Sequence, residues 1–287
     1  MTTPPTPLPQ TAPAGHGAPG AAYPTYTSPI PVVQTHLGHA LASEWTKIRS
    51  VRSTMWTLGV FLLLVVGIGL LTGSLLTGAD LSGQNALSLG FFGILLGTMC
   101  IVTLGVLTTA SEYGTGMVRT TMTACPSRGR ILAAKSIVFF GLAFVVSAGA
   151  ATFVAVAQVS MLKGDGVRSP DAAEWLKATV GVGLFVALLG LLSLLVGSLV
   201  RHSAGAITTM IGVVLAPLVV ALFMGARQLE DLRQALIEYS VPNQLSVLYD
   251  NSLTDTGPSG WDPLWIMVVV TAVVYAGAQA LLEKRDV

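Results

Sequence analysis

The chain has 287 residues, 52% of them hydrophobic and only 10% charged, where an ordinary soluble domain carries about 25% charged residues. A mean hydropathy of +0.72 and 31 glycines exclude a conventional water-soluble globule and fit a polytopic membrane protein, whose small residues let lipid-buried helices approach closely. A net charge of +1 excludes a broadly basic nucleic-acid binder, and two cysteines make neither a disulfide framework nor a metal site.

Residues 1–43 contain no Lys, Arg, Asp or Glu, and nine of the 15 prolines precede Val32. Such a segment cannot bury enough apolar surface to offset ordering entropy. It also lacks the positive start and the apolar core of a secretory signal. Residues 1–36 are therefore expected to be a disordered, Pro-rich cytoplasmic tail with polyproline II character. Residues 37–287 are expected to form one membrane domain.

From Leu37 the apolar residues Leu37, Leu41, Trp45 and Ile48 recur at helical spacing, with Glu44, Lys47 and Arg49 between them and Arg52 just beyond. This predicts an amphipathic helix ending in a cationic cluster. It is either a short lead-in to the first span or a dedicated interfacial helix. Six uncharged apolar stretches follow, at 53–79, 81–111, 136–162, 178–200, 202–226 and 263–282. Each reaches the roughly 20 residues needed to cross a hydrocarbon core of about 30 Å. A charge at a helix centre costs roughly 2.5 to 3.5 kcal/mol, so the absence of all 29 charges from these stretches predicts six transmembrane helices.

The loop between the second and third stretches, Ser111 to Lys135, is the polar segment of most distinctive character. Thr115 can cap a helix over residues 116–124, and Pro126 disfavours its continuation. Nine residues at 1.5 Å each make a rod of about 14 Å. Glu112 sits at the C-terminal end of the second span, where the helix dipole disfavours a negative charge by roughly 0.3 to 1 kcal/mol. A local rule broken without visible compensation points to function or to a specific arginine partner, Arg119 being the nearest in sequence. Taken as an exposed pair, it is worth only about 0 to 1 kcal/mol, so loss of either member is expected to barely change protein abundance. The plainer alternative is that Arg119, Arg128, Arg130 and Lys135 only set topology and touch headgroups. Gly129 to Ser136 reads GRILAAKS, one residue short of a phosphate-binding loop and with Ala134 at the second glycine. With no preceding strand and a span following, it is not one.

Of the remaining loops, residues 163–177 are a short polar link. Residues 227–262 carry apolar spacing at Leu229, Leu232, Leu236 and Ile237, which fits a short helix broken at Pro242. That helix is either solvated on the outer surface or part of a segment dipping back into the membrane. With the N-terminus inside, ten of the 15 basic residues fall on the cytoplasmic side, and the acidic residues divide four inside to ten outside. The positive-inside rule therefore predicts both termini cytoplasmic.

No zinc-protease HExxH, no GxSxG elbow and no paired membrane histidines occur. No catalytic, cofactor-binding or metal residues are assigned, and no cofactor is expected. Spans without Asp, Glu or His weaken an ion-coupled secondary transporter, although sodium sites built from carbonyls and hydroxyls stay open. A non-transport membrane scaffold is the third reading. Any ATPase must be a separate chain.

Residues 37–287 resemble single-domain, six-span permease subunits of type-2 ATP-binding-cassette (ABC) exporters, especially bacterial ones. The resemblance is carried by SEWTKIRSVRST (Ser43 to Thr54), EYGTGMVRTTMTACPSRGR (Glu112 to Arg130) with Lys135, YSVPNQ (Tyr239 to Gln244) and the EKRDV end. It implies an all-α fold with six transmembrane helices, an N-terminal interfacial helix, a cytoplasmic coupling helix and an outer re-entrant segment. It also implies a permease homodimer or heterodimer in a bacterial cell membrane, clasped by cytoplasmic ABC ATPase subunits and binding no nucleic acid. The residues it would assign to ATPase coupling are Glu112, Thr115, Met117, Arg119, Pro126, Arg128 and Arg130. Uncharged spans suggest a hydrophobic or amphipathic cargo, whose identity and lining residues the sequence does not give. The small-residue ladders Gly69/Gly73, Gly93/Gly97 and Ala272/Ala276/Ala280 suit helix contacts within one chain better than a dimer seam.

Overall fold

The computed structural model describes residues 36–79, 81, 83–124, 127–163, 167–225 and 227–284. Apart from His36, the expected Pro-rich tail lies outside the described residues, as does Pro126. Among the described residues the chain is helical, with no named strand. A 14-residue helix α1 (Leu37–Ser50) meets α2 (Arg52–Leu76) at extended Val51. A 3-10 turn (Ala86–Gly90) leads into α3 (Phe91–Thr115), and short α4 (Met117–Ala124) precedes α5 (Arg128–Met161). Then come α6 (Ala172–Leu176), a π turn (Lys177–Gly181), α7 (Val182–Val200), α8 (Ser203–Phe223), α9 (Glu230–Glu238), α10 (Val241–Val247) and α11 (Asp262–Lys284).

Among the described residues, six helical segments are long and apolar enough to cross a membrane: α2, Ala86–Thr115, α5, Ala172–Val200, α8 and α11. All six expected spans are present, with the starts of the second, third and fourth displaced, the fourth beginning at Ala172 rather than residue 178. The second begins at Ala86 rather than residue 81, because the Asn85 side chain accepts from the Leu87 N–H at 3.0 Å and starts a 3-10 turn there. The third begins two turns early. Residues 128–135 are rich in good helix formers, which continue the helix where hydropathy alone sees a loop. At 34 residues, α5 is about 51 Å long and outreaches a bilayer core by several turns.

Helix α7 is the hub, with Val182, Phe185, Val186, Leu194 and Leu195 fully buried among its neighbours. Between lipid-exposed helices no water is expelled, so association rests on close packing and interhelical hydrogen bonds. The α3–α7 seam is built that way. Gly105 lies against the Gly190 carbonyl, and a Cβ at Gly197 would fall 2.9 Å from the Val106 carbonyl oxygen. Thr109 Oγ1 donates across the seam to the Leu194 carbonyl at 2.8 Å. The glycine ladders serve the same purpose within the chain, Gly69 and Gly73 facing α5 and Gly93 and Gly97 facing α2. Ala272, Ala276 and Ala280 are exposed on α11.

At the end of the bundle away from α4, the YSVPNQ motif folds a helix pair. Helix α9 has no buried residue and ends at Glu238. Pro242 does not break that helix; it lies in the first turn of α10, where its missing N–H leaves no gap. All seven α10 residues are buried. Asn243 Nδ2 donates to the Glu238 carbonyl at 3.0 Å, its Oδ1 accepts from the Leu253 N–H at 2.8 Å, and Gln244 Nε2 donates to the Tyr239 carbonyl at 3.0 Å.

Candidate functional site

The Ser111–Lys135 loop is mostly helix. Helix α3 runs on to Thr115 and ends at Gly116, whose φ of 73° is the left-handed cap that glycine adopts without strain. Thr115 therefore belongs to α3. Its hydroxyl donates back to the Ser111 carbonyl at 2.9 Å, and the expected rod is α4, one residue shorter than predicted. On α4, Val118 is buried and Thr121 half-buried, while Met117, Thr120 and Thr123 share an exposed face at a spacing of three. The hydroxyls of Thr120, Thr121 and Thr123 bond α4's own carbonyls, so the face itself is uncharged and self-satisfied. The Arg119 side chain lies outside the described residues.

Beneath α4 sits a ring of four charges from three helices. Glu112 Oε1 accepts from Lys135 Nζ at 2.8 Å and from Lys47 Nζ at 3.1 Å. Glu44 Oε2 accepts from Lys135 Nζ at 2.8 Å, and its Oε1 from Lys47 Nζ at 2.7 Å. Lys135 donates also to the Thr108 carbonyl at 3.2 Å, and Lys47 to Thr121 Oγ1 of α4 at 3.5 Å. Each ammonium thus has three acceptors for its three donors. The side chains of Glu44 and Lys135 are 4% and 5% exposed and that of Glu112 13%. The ring is neutral, which is the condition under which buried charges are tolerated.

The compensation that Glu112 needs at the C-terminal end of α3 is therefore supplied by two lysines, from α1 and α5. The pair is buried rather than exposed, so its loss carries a larger cost than the sequence suggested. Burial is the largest influence on Glu44 and pushes its carboxyl upward, but Lys135 and Lys47 together outweigh it and hold the group below its ordinary value. Burial likewise works against the charge on Lys47, and Glu44 and Glu112 raise it above its usual range.

Helix α1 is turned so that Glu44 and Ile48 face the bundle, whereas Leu37 and Trp45 of the apolar stripe are exposed. The polar ring has rotated the helix away from its purely apolar solution. Cavities of about 390 and 210 Å³ flank the α1–α4 contact, the first lined by Ala40, Lys47, Met117 and Thr120, the second by Val51, Thr54, Leu107 and Ser111. Further round, Arg128 Nη1 donates to the Leu282 carbonyl at 2.7 Å, closing the start of α5 onto the end of α11. Arg130 lies in the same first turn of α5, beside Gln279 and Glu283 of α11. The Arg201 guanidinium lies over the Tyr113 ring at 5.1 Å.

The structure thus gathers Glu112, Met117 and Arg128 around one end of the bundle. It adds Glu44, Lys47 and Lys135 as the groups that hold that end together. Of these, the i,i+3 pair Glu44/Lys47 was the one local signal in the sequence.

Residues 40–225, which contain the whole ring and α4, match the family model described as ABC-2 family transporter protein. No curated protein is a significant match to the chain.

Proposed function

The chain belongs to the ABC-2 family of transporter membrane proteins, and from that premise we propose that it is the permease subunit of an exporter driven by ATP hydrolysis on a separate ATPase chain. In this reading α4 is the coupling helix. Its Met117/Thr120/Thr123 face is gripped by the ATPase, both chain termini are cytoplasmic, and two permeases form the translocation path. The interfacial reading of α1 and the re-entrant reading of α9–α10 fit the same architecture. A buried α10 whose Asn243, Gln244 and Ser246 side chains each bond other protein groups suits a segment entering the membrane. Uncharged central stretches of the spans favour a hydrophobic or amphipathic cargo.

The observation that carries the proposal is the ring under α4. A lever is useful only if its fulcrum is stiff, and four mutually satisfied charges join α1, α3 and α5 directly beneath the short helix. The cavities on either side of the α1–α4 contact leave room for α4 to tilt. Glu112 and Lys135 then transmit displacement into α3 and α5, and Thr109 passes it on to α7.

The test is purification of the full chain from native membranes in mild detergent. An ABC ATPase should co-purify. Thr120→Arg should release it without lowering the amount of permease, since Thr120 is exposed and its hydroxyl donates to the Met117 carbonyl of α4 itself. Retention of the ATPase by the Thr120→Arg protein would remove α4 from the interface. Transport by the permease alone, driven by a proton or sodium gradient, would replace the proposal with a secondary transporter.

A further inference from the structure

We propose that the elbow between α1 and α2 is a binding site for anionic phospholipid headgroups. Val51 (φ −84°, ψ 113°) separates the two helices, and on either side of it stands a Trp–Arg pair at i,i+4. Trp45 and Arg49 lie on α1, and Arg52 and Trp56 on α2, in mirrored order about the break. Residues at i,i+4 are neighbours on a helix surface. All four side chains are exposed, Trp45 by 45% and Trp56 by 76%.

Of the other cations described at this end of the bundle, Lys47 and Lys135 are engaged in the ring, Arg128 on the Leu282 carbonyl and Arg201 over Tyr113, while Lys284 stands on α11, away from the elbow. Neither the Arg49 nor the Arg52 guanidinium has a hydrogen bond or ion pair among the described residues. No Asp or Glu occurs from Trp45 to Ala79, and Glu44 faces inward to its lysines. The elbow is therefore a patch of uncompensated positive charge bracketed by indole rings.

Position selects the occupant. Trp56 lies one turn inside a membrane-crossing helix, at the depth where tryptophan settles between headgroups and acyl chains. A soluble partner cannot cover that ring, whereas a phospholipid meets the whole patch at once. Its acyl chains run along α2, its glycerol region meets the indoles, and its phosphate is held in the fork of a guanidinium. Two unneutralised guanidiniums favour a lipid of net negative charge over a zwitterionic one. The face of α1 opposite the charge ring thus rests on the lipid surface.

The test uses the full-length chain in phosphatidylcholine nanodiscs containing a minor fraction of phosphatidylglycerol, with no ATPase present. Selectivity is read by electron spin resonance from spin-labelled phosphatidylglycerol against spin-labelled phosphatidylcholine. Wild type should hold phosphatidylglycerol preferentially, and raised salt should weaken that preference. The Arg49→Gln/Arg52→Gln protein should lose about an order of magnitude in selectivity. Arg49→Lys/Arg52→Lys should retain most of it, and Trp56→Ala should weaken it with the charge unchanged. Equal selectivity in wild type and the glutamine variant would overturn the site. If the glutamine variant does not fold, a wild-type preference indifferent to salt would do the same. Because no nucleotide or partner enters the assay, its outcome is separate from that of the transport proposal.

Discussion

Both ends of the bundle carry ion pairs, but they are built on different plans. At the α4 end four charges share one buried ring, and each ammonium serves two carboxylates. At the α10 end each ion pair among the described residues joins one cation to one carboxylate. Arg168 meets Glu174, whose backbone closes a capping box with Asp171. Lys177 meets Asp250 at 2.8 Å, and that carboxylate is 42% exposed. A shared buried ring resists loss of any member, because the remaining side chains are left with an unbalanced net charge. One-to-one pairs with one partner in solvent lose less when a member is removed. The α4 end is therefore one mechanical unit, and the α10 end is held chiefly by neutral hydrogen bonds and packing.

Removing the ring's centre should separate the two ends most. Lys135→Ala leaves Glu44 and Glu112 facing each other with one ammonium between them. It should cost about 3 to 5 kcal/mol, seen as a large fall in thermal unfolding temperature in detergent. Lys177→Ala at the other end should cost at most about 1 kcal/mol. Equal losses would erase the contrast. Of intermediate size is Asn243→Ala, which strands the Glu238 carbonyl and the Leu253 N–H beside buried α10. A loss of about 1 to 3 kcal/mol is expected, and a neutral result would show that α10 is held by packing alone.

The mildest handle is pH. Glu44 has its folded value held below the reference of 4.5, so its contribution is present above that reference and fades as pH falls through the folded value. Lys47, raised above 10.5, contributes below that reference and loses its contribution as pH rises through the folded value. Unfolding temperature should therefore fall below about pH 4.5, and Glu44→Gln should flatten that fall. An unchanged acid limb in Glu44→Gln would place the titrating group elsewhere.

The six spans were legible because hydropathy and length suffice for them, and the charge balance of the loops adds an expected orientation. The extension of α5 was not, since Lys135 reads as a loop cation until Glu44 and Glu112 are brought beside it from 91 and 23 residues away. The same holds for α1. Its apolar stripe was visible, but the inward turn of Glu44 depends on partners in α3 and α5. Glu112 was conspicuous because it opposed the dipole of its own helix, which marks a residue as needing a partner without naming it. Thr115 was misread as a cap because Gly116 takes the left-handed turn one residue later.

The central claim, that the ring carries motion from α4 into the spans, is tested most directly by measuring ATP hydrolysis and transport together. The vesicles should contain the permease and its co-purified ATPase. The comparison is wild type against Glu112→Gln at matched protein amounts. Gln keeps the shape of the side chain but cannot hold both ammoniums, so hydrolysis should persist while transport per ATP falls several-fold. Unchanged transport per ATP in Glu112→Gln would contradict the account.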